Sequence, residues 1–157
     1  MKDQNNRDWQ SDSQSEVQTN NTIHINTLLD HLPGFAYRSS YLPNWTTAFI
    51  SKGVETMTGY SHEQFTPSHQ LCYHTLIVPR DRAYVEAVIA EAVAKQTPFT
   101  LEYRIKNKND KTVWVSERGI PVYDTHNGLI GIEGFVTNIS DEKIARKEQF
   151  VSERKYS

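Results

Sequence analysis

The sequence predicts an α+β domain in which helices cover one face of a five-stranded antiparallel sheet, and three observations predict it. Residues 98–140 read as three consecutive strands, PFTLEYRI, TVWVSERGIPVY and LIGIEGFVTNIS, separated by the turn stretches KNKNDK and DTHNG. An earlier pair of strand-like segments covers residues 34–39 (GFAYRS) and 45–51 (WTTAFIS). Between the two sets lies a run of helical patterns. Isolated hairpins are marginal in water, so the early pair must join the late three in one sheet. The apolar stripes of the helices must then be buried against that sheet.

Taken in order, residues 1–20 are rich in Gln, Asn, Ser and Asp and hold too little apolar surface to offset the entropy of ordering, so a disordered tail is expected. Over residues 21–32, Ile25, Leu28, Leu29 and Leu32 fall at helical spacing, with Asn21 or Thr22 as N-cap and Pro33-Gly34 as the stop. So short a helix is not stable alone and must dock, on its own sheet or on a partner. Pro43-Asn44 turns the first strand into the second. Short helices follow from Ser51, with Gly59 as a C-cap and Ser61 to Gln64 as a capping box. Pro67 and Ser68 restart the chain into HQLCYHTLI, and Pro79 opens the longest helix, about Asp81 to Lys95. Val85, Val88, Ile89 and Ala92 form its buried face. Phe99, Leu101, Tyr103 and Ile105 then alternate with polar residues, the period-two signature of a half-buried strand. Asn109-Asp110 and Asn127-Gly128 are the turn formers of the two hairpins. A final helix, DEKIARKEQFVSERKYS, carries Ile144 and Val151 seven apart and a Glu142–Arg146 pair.

Length and composition bound the function. A chain of 157 residues supports one core, and 37% hydrophobic content with a net charge of −2 describes an ordinary soluble protein. There is no basic surplus to hold nucleic acid and no apolar run long enough to span a membrane. The N-terminus lacks an apolar signal core, and the single cysteine, Cys72, rules out an internal disulfide framework. The cytoplasm is the expected compartment. No Gly-x-Ser-x-Gly elbow, HExxH helix or Gly-rich phosphate loop is present.

The segments LPGFAYRSS, FISKGVETMTGYSHEQF, LIVPRDR, FTLEYRIKNKNDKTVWVSERG and GFVTNIS stand in an order and spacing that resemble the PAS family over residues 33–141. The resemblance implies the strand order 2-1-5-4-3, a sheet-to-helix cavity that often holds a ligand or cofactor, and a sensory role. It divides the chain into a tail (1–20), an N-terminal capping helix (21–32), the PAS domain (33–139) and a linker helix (140–157). Domains of this kind commonly precede diguanylate cyclase or histidine kinase modules. The family usually closes its last strand with Asp-Ile-Thr. Here the triplet is Asn138-Ile139-Ser140, which removes an ion pair but leaves Ser140 able to cap the final helix.

Strand parity and the resemblance together nominate Phe35, Tyr37, Val54, Met57, Tyr73, Tyr84, Val88, Leu101, Tyr103, Val115 and Glu117 as pocket residues. Glu117 is the unusual member, an ionisable group on an apolar wall. If buried it needs a partner, either Tyr103 across the hairpin or a basic or polar ligand. A rim position, or a register slipped by one residue, is the more economical reading. On the opposite face Trp114 and Phe135 should point outward, with Glu102 and Arg118 as a cross-strand pair. Such a face needs covering. The family covers it with the N-terminal helix and a second copy of the domain, which nominates Ile25, Leu28, Leu29, Leu32, Trp114 and Phe135 as homodimer contacts.

Cofactor chemistry has less support. His62, His69, His74 and Cys72 are the only metal-like group. His69 and Cys72 could share a helix face, but ordinary polar residues near a pocket rim are the simpler reading, and no metal site is expected. Haem-binding relatives often take a histidine from the long helix, which has none over residues 81–95. The flavin photoreceptors of the superfamily place amide side chains where Ile105, Val115 and Val136 stand, which argues against a covalent flavin photocycle. The cofactor therefore stays unknown. The expected function is a non-catalytic sensory domain that binds a small molecule, dimerises, or both, and relays a signal to an effector module. A ligand-free interaction domain, or the input fragment of a cyclase or histidine kinase, are the alternatives.

Overall fold

The computed structural model describes residues 25, 27–41, 45–69 and 71–156. The disordered tail expected at 1–20, the N-cap at Asn21 or Thr22 and the Pro43-Asn44 turn lie outside the described residues. The strands are β1 (Phe35–Ser39), β2 (Thr47–Ile50), β3 (Phe99–Lys106), β4 (Thr112–Tyr123) and β5 (Leu129–Asn138). They form one sheet in the order β2-β1-β5-β4-β3, and every neighbouring pair is antiparallel. The helices are α1 (Gly53–Thr58), α2 (Pro79–Lys95) and α3 (Ser140–Tyr156).

The late hairpins form where the turn chemistry places them. Asn107 Oδ1 accepts from the amides of Asn109 and Lys111, both at 2.9 Å, and Asp110 takes a positive φ of 60°. At the next turn Asp124 Oδ1 accepts from His126 and Gly128, while Asn127 sits at φ 66°. These turns set a matched β3–β4 register in which Tyr103 faces Val115 and Leu101 faces Glu117. Alternate residues of β3 and β4 consequently enter the core together with Phe35, Ile132 and Val136.

Helix α2 covers that inner face with Val85, Ile89 and Ala92. It starts two residues earlier than the apolar spacing alone indicates, because Pro79 occupies its first turn, where no amide donor is needed. Asp81 ties this end to β3. Its carboxylate accepts from the Arg104 side chain at 2.9 and 2.6 Å and from the Arg104 amide at 2.9 Å. The Arg104 guanidinium holds Asp81 below the usual carboxylate range. Helix α1 packs so close to β1 that a Cβ on Gly53 would lie 1.8 Å from the Gly34 carbonyl oxygen. Glycine is required at Gly53 by backbone approach.

Several expectations are corrected. Among the described residues of HQLCYHTLI no α-helix forms, and Tyr73–Leu76 make a 3-10 turn. The Thr75 hydroxyl donates to the Cys72 carbonyl at 2.6 Å, competing with helical pairing between the two flanking prolines. His69 and Cys72 therefore share no helix face. The capping box expected at Ser61 to Gln64 is present, and the short helix it opens, His62–Phe65, is a 3-10 turn. Ser140 does not cap α3 with its side chain. Its hydroxyl accepts from the Trp114 amide of β4 at 3.0 Å, and Asn138 Oδ1 accepts from the Ser140 amide at 2.9 Å instead.

Candidate functional site

The inner cavity lies between residues of β1, β2, β3 and β4 and the chain that crosses above them. Its volume is about 50 Å³, room for a few waters or a few heavy atoms. Strand β1 supplies Phe35, Tyr37 and Ser39, β2 Thr47 and Ile50, β3 Tyr103 and β4 Glu117. Trp45, Tyr73, His74, Ile77 and, from α2, Ile89 close the other side.

At its polar end stands a carboxylate held by phenols. Glu117 is only 4% exposed. Its Oε2 accepts from Tyr37 Oη at 2.7 Å and its Oε1 from Tyr103 Oη at 2.6 Å. Tyr103 Oη lies 3.1 Å from Tyr73 Oη, and with its single proton on Glu117, Tyr73 is the donor in that contact. Tyr37 of β1 and Tyr103 of β3 bond Glu117 directly, and Tyr73 of the 3-10 turn joins through Tyr103, so one carboxylate anchors segments distant in sequence. Burial pushes the Glu117 carboxyl above the ordinary carboxylate value, against the lowering effect of the two hydroxyl bonds and of His74. Burial, followed by the nearby Glu117 charge, likewise raises Tyr37, Tyr73 and Tyr103, which keeps all three phenols protonated donors. A rim position or slipped register for Glu117 is excluded: the register is matched and the side chain is inside.

Of the nominated pocket residues, Phe35, Tyr37, Tyr73, Tyr103 and Glu117 line this cavity. Val54, Met57, Leu101 and Val115 are buried in the surrounding core without lining it, and Val88 packs partly buried against that core. Tyr84 is a correction. It is 53% exposed, because it precedes the buried Val85 by one residue and so points about 100° away from the α2 stripe. The sequence reading missed Trp45 and His74. Their rings stack with centroids 5.1 Å apart and an interplanar angle of 4°, and His74 Nε2 lies 2.9 Å from Glu86 Oε1. Trp45 has φ 46°, a left-handed conformation that a bulky residue seldom adopts. Trp45 and Thr47 also border an outer cavity of about 360 Å³ that reaches Phe65, Leu71 and Cys72.

The metal-like residues disperse. His62 pairs with Glu55, His69 with Thr66 and Ser68, and the Cys72 thiol lies 3.8 Å from the Trp45 carbonyl oxygen. Among the described residues no group of three His, Cys, Asp or Glu side chains is placed to hold a metal ion. Ile105, Val115 and Val136 are fully buried core residues. Among the described residues no helix is long and apolar enough to cross a membrane.

On the outer face α3 reaches the sheet. Lys143 Nζ sits 4.5 Å from the Trp114 ring centroid and 3.2 Å from Glu102 Oε1, and Arg146 lies 3.7 Å from the same oxygen. Glu102 thus takes its ion partners from α3 in place of Arg118, and Arg146 turns to Glu102 in place of Glu142. Phe135 and Trp114 are half-buried, while Ile25, Leu28 and Leu32 are exposed and Leu29 borders a surface cavity that Phe49 and His62 also line.

A family model described as the PAS fold matches residues 47–136. Superposition finds the same architecture in the PAS domain of a protein from Colwellia psychrerythraea, with TM-score 0.65 and 23% identity over 76% of this chain and 98% of that one. The N-terminal domain of a diguanylate cyclase with PAS/PAC sensor from Marinobacter aquaeolei superposes with TM-score 0.60 and 16% identity, covering 70% of this chain and 98% of that one. In sequence, the uncharacterized protein y4lL of Sinorhizobium fredii is 28% identical over 76 residues, a match spanning 48% of this chain and only 9% of that protein. With the matched model covering more than half of its residues and the strand order in agreement, this chain belongs to the PAS fold family.

Proposed function

We propose that the chain is a non-catalytic sensory domain that takes a small molecule into the inner cavity beside Glu117 and relays the change through β4 to α3. The observation that carries this reading is a buried carboxylate, bonded only by phenols, at the edge of a void. A core selected for stability alone does better with an apolar side chain there, since burying a carboxylate costs several kcal/mol. The likeness to the sensor domain of a diguanylate cyclase supports a place upstream of an effector, cyclase or histidine kinase, in a longer protein. Ligand and effector are both open to direct test. Native mass spectrometry of freshly purified protein should show a stoichiometric added mass, or an absorption band if the ligand is coloured. A bare mass under gentle conditions, unchanged by any added small molecule, overturns the reading.

A second reading has its own support. A cavity of about 50 Å³ is far below the ~300–1,000 Å³ of ordinary ligand sites. Apolar Ile25, Leu28, Leu32, Phe49, Ile120 and Ile130 are meanwhile left exposed. A homodimer formed over the outer sheet face and the N-terminal helix, with Trp114 and Phe135 in the contact, would serve a ligand-free interaction domain. Light scattering across a concentration series tests it; a monomer mass at every concentration rejects it.

A further inference from the structure

Resting on the ligand-binding reading, we infer that the inner cavity selects a small organic cation, an alkylammonium of a few heavy atoms, with Glu117 as its counter-ion. Three features point there. First, among the described residues Glu117 is the one acidic group lining the cavity and no Lys or Arg lines it; the one basic group there, His74, has its Nε2 on Glu86. Each Glu117 oxygen receives one phenol, while an ionised carboxylate accepts about four hydrogen bonds, so acceptor capacity remains. Phenols satisfy lone pairs without neutralising charge, and a cation does both.

Second, the walls suit a cation. Phe35, Tyr37, Trp45 and Tyr73 all border the space, and aromatic rings attract an ammonium group more strongly once water is removed. Third, the volume of about 50 Å³ limits the occupant to a methyl- or ethylammonium-sized molecule. An anion is opposed by the like charge of Glu117. A neutral donor can hydrogen-bond the carboxylate, as the phenols do, but leaves its charge unpaired in a poorly solvated place. The proton is the competitor, since a protonated Glu117 cannot act as counter-ion.

The test is a titration of uniformly labelled full chain with ethylammonium chloride, followed by amide shifts, beside equal-strength sodium chloride, sodium acetate and ethanol. Saturable shifts confined to residues around Phe35–Tyr37 and Glu117 are expected with ethylammonium alone. Glu117→Gln, which keeps shape and removes charge, should weaken binding by at least about tenfold. Tyr37→Phe frees Oε2 for the ligand and should tighten binding. That opposite sign separates a charge role from a merely structural one and decides the matter if Glu117→Gln fails to fold. Ethylammonium shifts that persist in Glu117→Gln, or a Tyr37→Phe variant that binds more weakly, overturn the assignment. Saturation by acetate or ethanol but not by ethylammonium overturns the cation and leaves a ligand-binding domain. Silence from all probes also overturns the cation, and the native mass of the purified protein then decides the ligand-binding reading separately.

Discussion

Replacing Tyr103 by Phe tests the phenol–carboxylate chain directly, because the side chain is fully buried and only one atom is removed. Two contacts are lost: the 2.6 Å bond to Glu117 Oε1 and the 3.1 Å contact with Tyr73 Oη. A bond to a charged acceptor contributes about 1.5–3 kcal/mol net, and stranding the Tyr73 hydroxyl costs about 1 kcal/mol more. The expected loss is therefore about 3 kcal/mol. Tyr37→Phe, which removes one bond to the carboxylate, should lose about 2 kcal/mol, and Tyr73→Phe, at the end of the chain, about 1 kcal/mol. Urea unfolding at alkaline pH, which favours the ionised Glu117, read by tryptophan fluorescence and circular dichroism, yields all three values from midpoints at constant slope. The double variant Tyr103→Phe/Glu117→Gln should cost less than the sum of the two single changes, because the Tyr103–Glu117 bond is weakened or lost in each single change and cannot be lost twice. A Tyr103→Phe cost no larger than that of Tyr73→Phe, or strict additivity with Glu117→Gln, would refute the linked chain.

Other perturbations follow from the same contacts. Burial holds Glu117 above its ordinary value of 4.5, so above that value the folded state keeps a proton the unfolded state has released; stability should fall as pH rises through the window between the two, and Glu117→Gln should flatten the slope in unfolding curves from about pH 5 to 8. Gly53→Ala places a methyl 1.8 Å from the Gly34 carbonyl oxygen and should cost about 3 kcal/mol or abolish folding, seen as a lowered melting temperature; an unchanged melt would show that α1 can slide off β1. Ser140→Ala strands the Trp114 amide, at about 1 kcal/mol, and should speed protease cleavage within α3 while leaving the core transition nearly intact; equal cleavage rates would mean that α3 is held by other contacts.

Different parts of this picture were legible in the sequence for different reasons. Strands β3 to β5 were readable because alternation and Asn- and Asp-rich turns are local signals, and the inward parity of Glu117 followed once the register was matched. Its bond to Tyr103 was foreseeable as a cross-hairpin pair, but its bond to Tyr37, 80 residues away, depends on β1 meeting β5 and then β4 across the sheet. Tyr84 shows the opposite failure: in a helix whose neighbours Val85, Val88 and Ile89 are apolar, a one-residue offset decides between pocket and solvent. Trp45 and His74 carry no periodic signal, since they sit where the chain is irregular, and only their stacking reveals that they close the cavity. At Asn138-Ile139-Ser140 the residue types were right and the partners were exchanged, because a hydroxyl that can cap a helix can equally accept from a neighbouring strand.

Adjacent residues join the two faces of the sheet, and in the proposed relay they would give a signal a short route. Tyr103 points inward and holds Glu117, while Glu102, the residue before it, points outward and holds Lys143 and Arg146 of α3. On β4 the arrangement repeats: Glu117 lies inside, and Trp114, three residues earlier and on the opposite face, is bonded to Ser140 and covered by Lys143. A change in the charge carried by Glu117 alters the pull on Tyr103 from β3 and on Tyr37 from β1 together, so it loads the ladder on both sides of the central strands. Ladder hydrogen bonds resist independent movement of single residues, so in the proposed relay a displacement would be shared along β3 and β4 before reaching α3. Coupling of this kind requires that α3 have a second arrangement to move to. Its ion pairs to Glu102 are half-exposed contacts of small individual energy, so a shift of about 1 kcal/mol at the sheet is enough to redistribute them. In the proposed relay, Glu117 would act on α3 through Tyr103 and the adjacent Glu102, which holds Lys143 and Arg146.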